Sequence, residues 1–486
     1  MEDKKQNRRK GEYKLKVKVT LTNIIMACTW LTFLIIFMLN INMFTYYQIT
    51  LAFLICNIIC SFLNKKIYKT IVFWLIVGTG IIRYVVIPIQ MRIEGIVNTD
   101  TSVMLIMIVE MIFEYLAIIV FANSKKFNEF TEKKSDYFGD NKKQGKEISF
   151  KVGISILAIL ILFGFLIVRN TRILYRYIEF STSKVQIEYS SGLIELMVNA
   201  AFLIIYIILL NIIQKMKIKS DRVKIILSII VSLFYINGCS ITDDNVSRWA
   251  MLSSIIVMYI YLIRMYPQKR KLLRIILFFG ILFTLIIGTM FKGENIWNKG
   301  EYSTFENTLK NTVEYKTLNA YFSGPKNVEI GLQLMNYPQF NGINKAKVII
   351  SDLFNNAPFL NHILSNKTYN SNALFNYAVY NSYIAKDQII PGCVQAYLWV
   401  NVLFTVITFF RCYYAFYFYF KIFEEKDLLK TYCYIRLFIA LSLINCISYT
   451  ILMQFVWINV LPIYLIYLGN IKVKSNILRK PKGGEI

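Results

Sequence analysis

The feature that most constrains this chain is a series of long apolar runs, each about as long as a membrane is thick. A helix that crosses the hydrocarbon core needs about 20 mostly apolar residues, and its backbone groups must be satisfied within the helix. The last two runs are separated only by a very tight turn at Ser448–Thr450. The runs predict twelve spanning helices, at residues 21–41, 44–63, 70–90, 103–122, 152–168, 192–214, 225–237, 249–263, 275–291, 393–420, 431–449 and 451–468.

Composition points to the same class of protein. Hydrophobic residues make up 56% of the 486 residues and charged residues 17%, whereas soluble domains are about 45–50% apolar and about 25% charged. A soluble enzyme, a disordered chain and a disulfide scaffold are therefore excluded. The predicted fold is an all-α polytopic membrane protein that forms one transmembrane domain over residues 1–486.

The net charge of +26 is distributed unevenly between alternate loops. One set of loops, which includes both termini, carries 37 Lys and Arg, and the other set carries 15 in a longer total stretch. Basic loops stay in the cytoplasm, so we expect a multi-pass plasma-membrane protein with both termini cytoplasmic. The charge then reflects topology and contact with membrane lipid, and we expect no nucleic-acid partner.

The eight cysteines form no CxxC pair and no Cys/His cluster, so we expect neither a metal site nor a cofactor. Cys239 and Cys393 both fall near the predicted outer face. A disulfide between them is open at this point, although spacing alone does not support it.

Residues 292–392 form a large predicted extracytoplasmic loop between the ninth and tenth spans. Its pattern predicts a helix over Thr304–Tyr321, a break at Phe322–Pro325 and a second helix over Lys326–Met335. The loop is rich in Asn and Tyr, which suit sugar binding, but both residues are abundant throughout the chain. It also holds the only histidine, His362.

Two stretches of the loop resemble a known family. Residues 319–328 read NAYFSGPKNV, and residues 387–397 run from Asp387 through Pro391 to Gln395-Ala396-Tyr397. Both resemble segments of bacterial oligosaccharide repeat-unit polymerases, the Wzy-type enzymes of O-antigen and capsule assembly, although Gly392 and Cys393 depart from the family's form. About twelve spans and a large outer loop late in the chain also match that family.

The resemblance implies a metal-independent membrane glycosyltransferase with a GT-C-like architecture. Such an enzyme transfers a polyprenyl-diphosphate-linked glycan to a second lipid-linked repeat unit at the outer face and releases polyprenyl diphosphate. The resemblance also implies a flippase and a chain-length regulator as protein partners. Protein cations must then stabilise the departing diphosphate, and arginine suits this task best.

Several arginines are candidates for binding that diphosphate. Arg83 lies within the third span, at a depth similar to that of Glu110 in the fourth, with Glu114 one turn deeper on the same face. Intramembrane charges are often functional; the alternative is an ion pair that locks the two spans together. Arg248 begins the eighth span, where the alternative is an arginine extending to lipid head groups.

A basic stripe follows the fifth span at Arg169, Arg172 and Arg176, and we single out Arg172 and Arg176 as substrate-binding candidates, with lipid head groups as the alternative. Tyr321, Lys326 and Asn327, in the family-like stretch, are further substrate-binding candidates.

The acceptor hydroxyl needs a general base. His362 and Asp387 are the main candidates, with Arg248 as the third predicted catalytic residue and Glu195 as a weaker base. Arg411 and Arg436 are expected only to extend towards cytoplasmic head groups.

Two other classes of protein compete with a polymerase. A lipid-linked oligosaccharide flippase would also have about twelve spans, but it would not need a loop of this size and should have two similar halves. An O-antigen ligase is harder to distinguish from a polymerase by sequence. A polyprenyl-phosphate-sugar transferase should carry an acidic pair in its first outer loop, and that loop has none here.

Overall fold

The computed structural model describes residues 20–39, 46–63, 65–96, 100–129, 192–217, 220–242, 245–246, 248–280, 315–358, 360–381, 388–425 and 427–478. Apart from short turns, these residues are helical. The exception is a two-residue antiparallel pair, β1 (Ile241–Thr242) with β2 (Asn245–Val246). The helices are α1 (Leu21–Leu39), α2 (Tyr47–Ser61), α3 (Ile71–Ile93), α4 (Thr101–Ala122), α5 (Gly192–Lys215), α6 (Asp221–Ser240), α7 (Arg248–Met265), α8 (Pro267–Gly280), α9 (Tyr315–Tyr321), α10 (Pro325–Gln333), α11 (Gly342–Phe354), α12 (Asn361–Leu364), α13 (Ser371–Tyr380), α14 (Gly392–Val400), α15 (Phe404–Glu424), α16 (Leu428–Ser442) and α17 (Tyr449–Gly469).

Six helical stretches among the described residues are long and apolar enough to cross a membrane: α1, α3, α4, α6, α14 with α15, and α17. A seventh is added if α7 and α8, which meet at a bend of 118°, count as one span. These are the helices of a membrane protein, as predicted. The count of twelve stays a prediction, because the fifth predicted span and most of the ninth lie outside the described residues.

Helices α16 and α17 form an antiparallel pair. Cys433 of α16 donates its thiol to the Val460 carbonyl of α17 at 3.5 Å. The predicted split into two segments is therefore confirmed, but the connection lies at residues 443–448, earlier than the predicted turn. Helix α16 has 15 residues and is about 22 Å long, shorter than a hydrocarbon core of about 30 Å. Non-helical backbone at such depth must be enclosed by protein, and residues 443–448 are all buried.

The helices α9–α13, here called the cap (residues 315–381), pack on the ends of the apolar helices. Helix α9 contacts the last turns of α3, α10 contacts α4 and α14, and α11 contacts α14 and the start of α17. The predicted break at Phe322–Pro325 is confirmed, and the predicted second helix is found as α10 with a following 3-10 turn. Residues 304–314, which carry the first predicted turns of α9, lie outside the described residues.

All eight cysteines are free thiols. The Cys239–Cys393 disulfide left open by the sequence is therefore not formed. Cys393 instead lies buried at the start of α14, where it contacts an arginine.

Candidate functional site

The centre of the candidate site is a buried ion pair between α3 and α4. Arg83 Nη2 lies 2.9 Å from Glu110 Oε2, and each side chain is only 1% exposed. Arg83 also donates to Asn445 Oδ1 at 2.6 Å and to Cys393 Sγ at 3.3 Å. These four residues, here called the junction cluster, join α3, α4, α14 and the connection between α16 and α17. The ion pair that the sequence offered as an alternative is confirmed; substrate binding by Arg83 stays a prediction.

A π-helical turn explains why Arg83 and its neighbour both face inward. Residues Ile82–Val86 form this turn within α3, and π turns occur mostly at functional positions. Arg83 and Tyr84 are consecutive, yet both are buried. The Tyr84 carbonyl accepts a bond from Thr50 Oγ1 at 2.6 Å, and the Tyr84 hydroxyl donates to Asn445 at 3.2 Å. The turn thus aims two consecutive polar side chains at the junction cluster.

Glu114 lies one turn along α4 from Glu110, and both are buried, as the spacing predicted. Glu114 Oε1 has no hydrogen-bond partner within the described part of the chain. Two carboxyls thus sit near one guanidinium, and the second is not directly paired with it.

Arg411 holds the backbone of the connection between α16 and α17. Its guanidinium donates to the carbonyls of Ala440, Leu443 and Ile447 at 3.2–3.4 Å, and it stacks over the Tyr449 ring at 5.0 Å. Carbonyls at a helix end lack partners within the helix, and this arginine donates to them, in addition to the N–H groups of Cys446 and Ile447 that the Leu443 carbonyl accepts. The expectation that Arg411 extends to head groups is wrong, since the residue is 3% exposed.

Gly392 makes room for that arginine. A Cβ at this position would lie 3.0 Å from Arg411 Nη1 and 3.2 Å from the Ile447 carbonyl oxygen. The glycine that departs from the family's form therefore has a steric reason in this chain.

A second buried polar group joins the cap to the apolar helices. Gln395 Nε2 of α14 lies 3.1 Å from Asp352 Oδ2, 2.7 Å from Ser371 Oγ and 2.7 Å from Thr450 Oγ1. Gln395 Oε1 accepts from the Tyr449 backbone N–H at 2.7 Å. Here called the cap cluster, this group centres on a glutamine that is 0% exposed. Gln395 lies within the second family-like stretch, residues 387–397, but nothing in the sequence singles it out as a site residue.

Asp352, also missed by sequence reasoning, is the acid of the cap cluster. Its carboxylate accepts from the Ser371 N–H at 2.8 Å and from Trp399 Nε1 at 3.0 Å. Burial raises the pKa of Asp352 to about 6, because desolvation outweighs these hydrogen bonds. Its signal in the sequence is weak, since an acid on a short amphipathic helix is usually solvated.

The family-like stretch 319–328 forms a braced turn between α9 and α10. Asn319 Nδ2 donates to Asn327 Oδ1 at 2.7 Å, and Asn319 Oδ1 accepts from the Lys326 N–H at 3.2 Å. Asn327, predicted to bind substrate, is 5% exposed and holds this turn closed. Lys326 pairs with Glu329 at 2.9 Å on the surface, and Tyr321 is half-buried.

The two family-like stretches meet in space. Asn327 Nδ2 donates to Gln388 Oε1 at 3.3 Å, and Gly331 of α10 packs against Val394 of α14, so that a Cβ there would lie 2.9 Å from it. Gln388 is further fixed by a pair of bonds with Asn376, at 2.9 and 3.0 Å. Segments about 60 residues apart are thus brought together, and the second of them continues into Cys393 of the junction cluster.

Arg436 is the second arginine for which the sequence-based expectation is wrong. It is 4% exposed and donates to Ser253 Oγ at 2.6 Å and to the Tyr432 hydroxyl at 2.8 Å. The expectation of a cytoplasmic head-group contact is wrong, because the guanidinium is enclosed between α16 and α7.

The remaining predicted site residues are not joined to these clusters. His362 lies exposed on α12, and no described contact connects it to either cluster. Arg248 begins α7, as predicted, but its side chain lies outside the described residues, as does that of Glu195. Asp387, Arg172 and Arg176 also lie outside them. No group of three metal-ligating side chains occurs in the described ranges.

Comparison of the chain with protein-family models, with curated proteins and with solved structures finds no match in any of the three. Function must therefore be argued from the class of protein, a helical membrane protein, and from the two buried clusters beneath the cap.

Proposed function

We propose that this chain is a membrane glycosyltransferase that polymerises polyprenyl-diphosphate-linked oligosaccharide repeat units. One observation carries the proposal: the two stretches that resemble the polymerase family touch each other, through Asn327 and Gln388. Gln388 lies five residues before Cys393, which contacts Arg83 of the buried arginine–glutamate pair. Chance similarity in two short segments gives no reason for them to meet. The proposed site therefore lies at the border between the cap and the helices α3, α4 and α14.

In the proposed reaction, the acceptor sugar hydroxyl attacks the anomeric carbon of the donor glycan. The carbon–oxygen bond to diphosphate breaks, polyprenyl diphosphate leaves, and the hydroxyl proton passes to a base. Arg248, with Arg172 and Arg176, is proposed to neutralise the leaving diphosphate. The reaction takes place at the outer face of the plasma membrane in this proposal.

Asp387 is the better candidate for the base. It directly precedes Gln388, which is fixed by Asn327 and Asn376 where the two family-like stretches meet. His362 lies exposed on α12 and is not connected to that place. Asp352 is enclosed by its own donors and suits a role in holding the cap.

The test uses lipid-linked repeat units extracted from a strain that lacks the gene. The full-length protein, incubated with these units, should give a ladder of chains and one polyprenyl diphosphate for each bond formed. Asp387→Asn should abolish the ladder, whereas His362→Gln, the matched control, should retain it. Arg248→Ala should leave single repeat units. A wild-type protein that forms no chains from these units refutes the proposal.

The same deletion strain separates the competing classes of protein. Repeat units held on the cytoplasmic face would indicate a flippase, and unpolymerised units on the outer face support a polymerase. Transfer of preformed chains to another acceptor, without chain growth, would indicate a ligase.

A further inference from the structure

We infer that Arg436 and the hydroxyl groups around it form a binding site for a phosphoryl anion, apart from the junction cluster. Helices α5, α6, α7 and α16 bring these groups together. The guanidinium donates to Ser253 Oγ and to the Tyr432 hydroxyl, and it lies over the Tyr432 ring at 5.1 Å. Tyr235 and Cys239 of α6 are its next electrostatic neighbours.

The charge balance at Arg436 differs from that at the other deeply buried arginines. Arg83 is paired with Glu110, and Arg411 is surrounded by three backbone carbonyls. No carboxylate within the described ranges pairs with Arg436. A buried cation without a counter-charge is costly and is retained mainly where it serves a function.

The neighbouring side chains suit an anion. Hydroxyls of Tyr206 and Ser232 lie 2.8 Å apart between α5 and α6, and the Tyr206 and Tyr235 rings are stacked with centroids 4.5 Å apart. Ser254 Oγ is buried with no described partner. The Ser253 and Ser232 hydroxyls donate to the carbonyls of Ala250 and Ser228, so the donors offered to phosphoryl oxygens here are those of the Arg436 guanidinium, a group that suits such oxygens.

The site lies near one end of the helices that form it. Cys239 is next to the last residue of α6 and is half-buried, and Ser253 lies five residues, about 7.5 Å, along α7 from its first residue, Arg248. The guanidinium therefore lies just inside the end at which β1 and β2 connect α6 to α7. Arg248, the first residue of α7, belongs to the same end.

Two sources of this anion are possible, a lipid diphosphate and free diphosphate. If the proposed polymerase function holds, on which this assignment of the ligand rests, the anion is the diphosphate of the lipid carrier. Arg436 would then be a positioning residue for the leaving group.

Arg264 offers a matched control. It links the same two helices at their other ends, donating to Thr431 Oγ1 at 2.5 Å and to the Glu425 carbonyl at 2.6 Å. Asp427 and Glu425 lie near it. It therefore has the same structural task as Arg436, but with acids beside it.

The experiment measures binding of polyprenyl diphosphate and of inorganic diphosphate to the full-length protein in phosphatidylcholine nanodiscs. Arg436→Met should bind roughly tenfold more weakly or worse, as loss of a charge-assisted hydrogen bond implies. Arg264→Met should bind as the wild type does. Preference for the lipid identifies the carrier as the ligand, and equal binding identifies a site for free diphosphate.

Wild-type affinity in Arg436→Met, or equal losses in Arg436→Met and Arg264→Met, would overturn the inference. Asp243 and Asp244 lie outside the described residues, so an internal acid partner is tested with Asp243→Asn/Asp244→Asn. Weaker binding in Arg436→Met that this double variant reproduces would assign the guanidinium to an internal ion pair and overturn the site. A wild-type protein that forms chains but binds neither probe refutes this inference and leaves the polymerase proposal standing. A wild-type protein that binds a probe but forms no chains supports this inference and refutes the polymerase proposal.

Discussion

The Arg83–Glu110 pair allows the structural and the catalytic role of a buried charge to be separated. Both side chains are 1% exposed, so water cannot replace a lost partner. Glu110→Gln would leave the guanidinium with uncharged hydrogen-bond partners, namely Asn445, Cys393 and the Tyr84 hydroxyl. Removal of one member of a buried pair costs about 3–5 kcal/mol, whereas neutralising both is close to neutral. The double variant Arg83→Gln/Glu110→Gln should therefore be more stable than Glu110→Gln alone.

The free energy of unfolding of the full-length protein in mixed micelles tests this expectation, with wild type, both single variants and the double variant compared. A coupling energy of about 2 kcal/mol or more is expected, since residues in direct contact do not behave additively. Single variants within about 1 kcal/mol of wild type, or a double variant as unstable as the sum of the singles, would refute the reasoning.

Chain formation by the same variants then separates the two roles. If Arg83 only locks α3 to α4, the double variant should recover both stability and polymer. If Arg83 contacts the diphosphate, it should recover stability alone. Recovery of polymer would remove Arg83 from the list of substrate-binding residues.

Three further predictions follow from the cap and the connection it covers. Because Asp352 binds a proton more tightly when folded, with a pKa of about 6 against 3.8, its contribution makes stability fall by about 2 kcal/mol as pH rises from 4 to 6; unfolding of Asp352→Asn should lack this fall, and an unchanged pH profile would contradict it. Gly324→Ala would place a Cβ 2.4 Å from Asn319 Oδ1 and 3.1 Å from Ile87, so unfolding should be about 1–3 kcal/mol easier. Gly78→Ala, which meets nothing within 4 Å, is the control and should be neutral or slightly stabilising. Arg411→Met should increase protease cleavage at residues 443–448, because the carbonyls of Ala440 and Ile447 lose the guanidinium and that of Leu443 keeps only its backbone donors; cleavage at the wild-type rate would contradict that reading.

The lengths of the apolar runs and the positions of glycine and proline account for most of the fold that the sequence could predict. The described helices follow the predicted runs, and the break at Phe322–Pro325 was marked by glycine and proline. Depth within neighbouring runs was enough to pair Arg83 with Glu110. These features depend on local sequence or on distance along a helix, which the sequence records directly.

The clusters beneath the cap depend on packing between distant segments and could not be predicted. In the sequence, Gln395 is an ordinary polar residue near one end of an apolar run. Only the fold places Asp352 and Thr450 beside it. The expectation for Arg436 was wrong because its side chain is enclosed by contacts with Tyr432 and with Ser253 of α7, and the contact with α7 is not recorded in the local sequence.

The bonds of Arg411 also impose an order on synthesis. The arginine is made 36 residues before Ile447, one of the carbonyl partners that will enclose it. For a chain inserted into a membrane as it is translated, α15 must enter with an unpaired guanidinium, which costs about 2.5–3.5 kcal/mol near the bilayer centre. That cost is removed only when α16 has been added and the connection to α17 has formed. Insertion of α15 is thus incomplete until the end of the chain is synthesised, so truncations before residue 448 should leave this helix poorly integrated even though its own sequence is intact.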